Sequence, residues 1–197
     1  MFIKKPTRAS PGGWTRRSLL NLAASVGVTL GIAPSFAAPP DPAKRRPQIG
    51  DRLVFAFGPR QHRPVGTSEL VIDSPPVAAV PMEPSTGLIR DGSRLNQVMV
   101  MKLDPARLSA KTEPYAVEGI VAYSAVCTHT GCPVENWNAR QAHLVCTCHQ
   151  SEFDVTDAAR VVFGPAPKPL AMLPIRIEEQ VLVVAGAFSR RVGAQLE

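Results

Sequence analysis

Aromatic side chains with a polar handle are scarce: two tryptophans and two tyrosines serve 197 residues. The stacking platforms that a base-reading protein needs are therefore missing. Four cysteines are too few for a disulfide-dense miniprotein. After residue 38 no stretch keeps a helical period for long, and no internal repeat is present. Acidic residues are absent before Asp41. What remains is a chain with 45% hydrophobic and 19% charged residues, a balance that excludes disorder and fits one ordinary domain with appendages, or two small ones.

The formal charge of +6 would suggest a nucleic-acid or membrane partner if it were spread over the molecule, but it is not. Lys4, Lys5, Arg8, Arg16 and Arg17 all precede the first acid, and these five of the 22 basic residues leave 17 against 16 acids if residues 1–37 are removed. A net of +1 gives no reason to expect nucleic acid. The paired Arg16-Arg17 leads into a weakly apolar run over residues 19–38, which ends in the small-residue exit Ser35-Phe36-Ala37. This pattern is similar to a twin-arginine export signal, a route for proteins folded before transport. Uncleaved, about 20 such residues would just span a bilayer and form an anchor helix, so residues 19–38 would then contact membrane.

Residues 38–50 are proline-rich and read as a semi-rigid linker. Beyond them, short runs rich in Val, Ile, Leu and Phe, bounded by Pro, Gly, Asp or Ser, predict strands at 52–57, 69–72, 97–103, 119–126, 143–146, 160–163, 174–178 and 180–185. The expectation is an antiparallel all-β domain over 51–197.

All four cysteines and three of the four histidines fall between Cys127 and His149. Cys127-Thr128-His129 and Cys146-Thr147-Cys148-His149 each follow a predicted strand, which places a Cys and a His on each of two neighbouring loops. Two thiolates and two imidazoles could hold a structural zinc. The usual zinc pattern, however, groups Cys with Cys and His with His, and Cys132 and Cys148 would be left over. The segment also continues as Gln150-Ser151-Glu152-Phe153-Asp154 and later as Gly164-Pro165-Ala166-Pro167.

Together, over residues 121–170, these motifs resemble those of the Rieske iron-sulfur proteins. The resemblance implies an antiparallel Rieske-type β-sandwich with a small cluster-binding subdomain at about 124–168, and a 2Fe-2S cofactor. Cys127 and Cys146 would bind one iron and His129 and His149 the other. Cys132 and Cys148 would form a disulfide, and Gly164, Pro165, Ala166 and Pro167 would cover the cluster. Two thiolates and two neutral imidazoles leave the oxidised centre nearly neutral, so it accepts an electron more readily than a four-thiolate centre, in a window of roughly −150 to +300 mV. In quinol-oxidising members a serine and a tyrosine after the second loop donate hydrogen bonds to the cluster sulfurs. Ser151 retains the first donor, but Phe153 stands at the tyrosine position, and Thr130 replaces a usual apolar docking residue.

The implied function is one-electron transfer on the periplasmic side of a membrane, by a subunit of a respiratory oxidoreductase and not a stand-alone catalyst. The partner would be a cytochrome or a periplasmic molybdenum-oxidase subunit, as in arsenite oxidase. The alternative is the iron-sulfur subunit of ubiquinol-cytochrome c reductase, with quinol as donor; a more remote one is a binding module that uses the cluster as a staple. A Rieske oxygenase would need a second, mononuclear iron site, and the 48 residues after His149 hold no histidine for it. His62, His143, Tyr115, Tyr123 and Trp137 read as local or packing residues.

Overall fold

A computed structural model describes residues 41–194. The signal or anchor helix expected over 1–37, and the start of the 38–50 linker, lie outside the described residues. Among those described, no helix is long and apolar enough to cross a membrane, and the only helical pieces are single 3-10 turns.

Ten strands make two antiparallel sheets. The larger has the order β4-β3-β2-β1-β10-β9, from β1 (Arg52–Phe55), β2 (Val77–Met82), β3 (Val98–Lys102), β4 (Ile120–Ser124), β9 (Ile175–Glu178) and β10 (Val181–Val184). The smaller is the meander β5 (Val134–Asn138), β6 (His143–Cys146), β7 (Glu152–Asp154) and β8 (Arg160–Phe163). The all-β expectation is met.

The apolar runs of β3 and β4 explain how the sheets are joined. Along a strand, successive side chains point to opposite faces, and here both faces are buried. Val98, Val100, Ile120 and Ala122 enter the core of the large sheet with Leu53, Phe55, Leu182 and Val184. Met99, Met101, Val121 and Tyr123 enter a second core with Leu144, Cys146 and Phe153 of the small sheet. An unbroken apolar sequence is the signature of a strand with no solvent face. The large sheet also curls, because Ile120 from one edge strand and Ile175 from the other share one cluster. Residues 171–173 bridge the gap, Ser124 N donating to Ala171 O and Leu173 N to Ala122 O.

Three strands escape the sequence reading and one predicted strand is absent. β2 contains Pro81, which lacks a donor, yet it is tolerated because β3 pairs only with Val77–Ala79 and Pro81 O accepts from Arg90 N. β5 is masked by Glu135, Asn136 and Asn138 and by a register shift at Val134/Asn136, and β7 is only three residues long. Of the run 69–72, Glu69 ends a 3-10 turn and Ile72 makes one isolated bridge to Lys102; Leu70 enters the core of the large sheet but Val71 and Ile72 are exposed, so the run lacks the alternating buried face of a strand.

Residues 42–50, within the stretch read as a linker, are tied to the body. Arg90, 1% exposed, bonds Asp51 at 2.7 Å and Glu83 at 3.1 Å and reaches Pro42 O. Asn96 Nδ2 donates to Arg45 O and Arg90 O, and Gly50 N donates to Val184 O.

The Tyr123 hydroxyl, fully buried on β4, donates to Val155 O at 2.7 Å and so pins the end of the small sheet to the large one. Tyr123→Phe leaves that carbonyl without its partner, at a cost of about 1–3 kcal/mol. A lowered denaturant midpoint is expected, and an unchanged midpoint would show that the bond contributes nothing.

Candidate metal centre

Two loops at one end of the small sheet carry the cysteines and histidines. The first, residues 125–132, follows β4 and is closed by Cys127 N to Cys132 O at 2.8 Å and Gly131 N to Cys127 O at 3.0 Å. The second follows β6 and is closed by Cys146 N to Ser151 O at 2.9 Å. Gln150 turns the chain there at φ 54°. Thr147 N donates to Pro133 O, and a disulfide joins Cys132 to Cys148 across 16 residues with Cα atoms 6.2 Å apart.

This geometry sorts the four remaining donors by depth. Cys127 and Cys146 are free thiols, 0% and 1% exposed. Burial pushes the Cys127 thiol up to about 11, with the neighbouring Cys146 adding to the rise and hydrogen bonds from the His129 backbone and the Ser151 hydroxyl opposing it. The imidazoles sit at the surface. His129 and His149 meet edge to face, their Nδ1 atoms 3.3 Å apart, so each Nε2 is on the far side of its ring.

Among the described residues, no three His, Cys, Asp or Glu side chains converge on one point. The donors form instead a pair of thiols and a pair of imidazoles. That donor set suits a two-iron centre with two ligands on each metal, and it fits a single tetrahedral zinc poorly. Loading such a centre must release the thiol protons.

A third segment packs over the first two. Ser151, fully buried, accepts from Ala166 N at 3.1 Å through its hydroxyl oxygen. Gly164 is required where the chain passes Ser151: its φ is +86°, and an added Cβ would lie 2.6 Å from Ser151 Cα. Thr128 Oγ1 donates to Lys168 O at 2.6 Å, which fastens the first loop to the end of the Gly164-Pro165-Ala166-Pro167 segment. Phe153 is fully buried in the core below, with no hydroxyl to offer. Thr130 is exposed.

Sequence reasoning missed two braces. Thr128 gave no signal beyond its place between Cys127 and His129. Arg94, 37 residues upstream, donates to Gly131 O at 2.6 Å, a contact no local pattern announces. His143 bonds Glu152 at 2.8 Å and His62 is exposed near Asp91, so neither joins the centre. Trp137 packs against the core.

The likeness to known proteins falls on the stretch of chain that holds these loops. Residues 97–174 match the family described as the Rieske [2Fe-2S] domain, which carries a 2Fe-2S cluster. Over 98 residues the chain is 44% identical to the cytochrome bc1 complex Rieske iron-sulfur subunit of Streptomyces lividans, covering 49% of this chain and 58% of that protein. Over 86 residues it is 48% identical to a Haloferax mediterranei protein named for a respiratory nitrate reductase Rieske subunit, covering 43% of this chain and 38% of that one. The soluble domain of Rieske protein II from Sulfolobus acidocaldarius superposes with a TM-score of 0.37 at 23% identity, over 49% of this chain and 66% of that one. The chain thus spans little more than half the length of the first of these relatives.

The disulfide joins the two loops that carry Cys127, His129, Cys146 and His149, and its removal frees both, at about 3 kcal/mol for this loop length. The double variant Cys132→Ser/Cys148→Ser is expected to keep the spectrum of freshly loaded protein but to lose it faster on warming. Equal lifetimes would show that the disulfide does not hold the loops.

Proposed function

Because residues 97–174 form a Rieske [2Fe-2S] domain, we propose that this chain is the one-electron carrier of a respiratory oxidoreductase on the periplasmic side of the membrane, passing electrons towards a cytochrome. The single observation that carries this reading is the depth ordering of the donors: two buried thiols beside two surface imidazoles on disulfide-joined loops.

When bound, the cluster supplies a one-electron couple at roughly −150 to +300 mV. Cys127 and Cys146 would hold one iron as thiolates. Their burial keeps water from the sulfurs. His129 and His149 would hold the other iron through their facing Nδ1 atoms, which would leave each Nε2 to lose or hold a proton and to hydrogen-bond a partner at the surface. The Ser151 hydroxyl lies beside the Cys127 sulfur and opposes the rise in its pKa, and there it would favour the more negative, reduced state of the cluster. The Gly164-Pro165-Ala166-Pro167 segment, packed against Ser151, would close the remaining side.

Two partner classes fit. A subunit of a periplasmic molybdenum oxidase or similar reductase is favoured by Phe153 and Thr130, and by identity with the nitrate-reductase-type relative. The iron-sulfur subunit of a quinol-oxidising cytochrome complex is favoured by Ser151 and by the relatives named cytochrome bc1 subunits. Quinol-cytochrome c activity in a reconstituted complex would decide for the second, and its absence alongside a low potential for the first.

Voltammetry of the loaded protein is expected to show a reversible one-electron wave; a cluster that does not cycle would make the chain a stapled binding module. Ser151→Ala is expected to lower the potential. The loss of about 1 kcal/mol of reduced-state stabilisation corresponds to roughly 40 mV for one electron, while Phe153→Tyr should raise it. Unmoved potentials in both would refute the hydrogen-bond argument. His129→Ala or His149→Ala should abolish the Rieske paramagnetic signal.

A further inference from the structure

Beside the first loop lies a surface groove of about 340 Å³, lined by Arg46, Arg94 and Arg191, by Thr130, and by the apolar Leu95 and Val126. A neighbouring hollow of about 200 Å³ shares Arg46 and Arg191 and adds Arg190. All four arginines are exposed. Among the described residues none of them forms an ion pair with a carboxylate. Arg46 and Arg94 instead donate to backbone carbonyls, Leu95 O and Gly131 O, each at 2.6 Å. Burial, and then the charge of Arg191, hold the Arg46 guanidinium below its ordinary value. Among the described residues, like charges have therefore been brought together with no carboxylate paired to them, an arrangement that an incoming anion relieves.

We propose that this groove docks an acidic segment of the redox partner protein, its carboxylates entering between Arg46, Arg94 and Arg191. Guanidinium forks match carboxylates in two-point contact. The interleaved Leu95 and Val126 suit the carbon skeleton of a peptide better than a bare phosphate. Position supplies the functional sense. Thr130 and Gly131 belong to the loop that carries His129, so a segment seated here sets the partner's surface beside the exposed imidazoles. Arg94 would contact the segment and Gly131 O together. Such a surface steers encounter and weakens with salt. The partner's redox role rests on the function proposed above, but the binding does not.

The test uses the full cluster-loaded chain at low ionic strength, with labelled hexaglutamate peptide, inorganic phosphate and phosphatidylglycerol vesicles as probes. The peptide is expected to bind, to weaken as salt rises, and to resist displacement by equimolar phosphate. Arg46→Glu/Arg191→Glu should weaken it at least about tenfold with the paramagnetic signal intact. Arg63→Glu, at an exposed arginine outside the groove, should change it less than about twofold. Undiminished binding by the double variant would overturn the proposal. So would vesicle binding without peptide binding, displacement by equimolar phosphate, or peptide binding only after removal of residues 195–197. Peptide binding by a protein whose cluster does not cycle would strike the electron-transfer reading and leave this one standing.

Discussion

A metal centre built here requires two sulfurs held in a dry interior while two imidazoles, two or three residues further along each chain segment, remain at the surface. A thiol buried like Cys127 resists ionisation, and a surface imidazole is free to rotate unless something fixes it. Both demands are met by ending a buried strand at a tight loop. β4 delivers Cys127 and β6 delivers Cys146 from the core, and the next turn of backbone brings His129 and His149 out. The Cys132–Cys148 disulfide keeps the two loops opposed, so that the imidazoles face each other instead of diverging.

The rest of the fold answers to this requirement. β3 and β4 are apolar on both faces because they are shared by two cores, one internal to the curled large sheet and one against the small sheet. The small sheet can be short because it borrows the large one as its floor. Ser151 links two jobs: its hydroxyl lies at the Cys127 sulfur and its oxygen accepts from Ala166 N, so the covering segment and the sulfur's environment are set by one side chain. Gly164 is the price of that closeness, since no Cβ fits against Ser151.

Much of the site was legible in the chain because its chemistry is local. Ligand-type residues cluster within 23 positions, and Cys-x-His followed by Cys-x-x-His with a serine and a proline loop is a pattern of consecutive residues. The strands were legible where composition reports burial, as in β3, β4 and β10. They were hidden where it does not: β2 carries a proline that its pairing tolerates, β5 is polar on its exposed positions, and β7 is too short to show a period. The run 69–72 was misread for the converse reason, since Val71 and Ile72 are apolar yet exposed.

By itself the sequence determined the donor types, their spacing, the two-loop arrangement and an all-β domain, because these follow from side-chain chemistry and from periodicity along the backbone. Only the tertiary structure decided the depth of each donor, the facing of the two Nδ1 atoms, and the joining of the proline segment to Ser151 and Thr128. It alone gathered Arg46, Arg94 and Arg191, spread over nearly 150 positions, around one groove. Contacts between distant segments depend on how strands stack and loops close in space, and no local pattern records that.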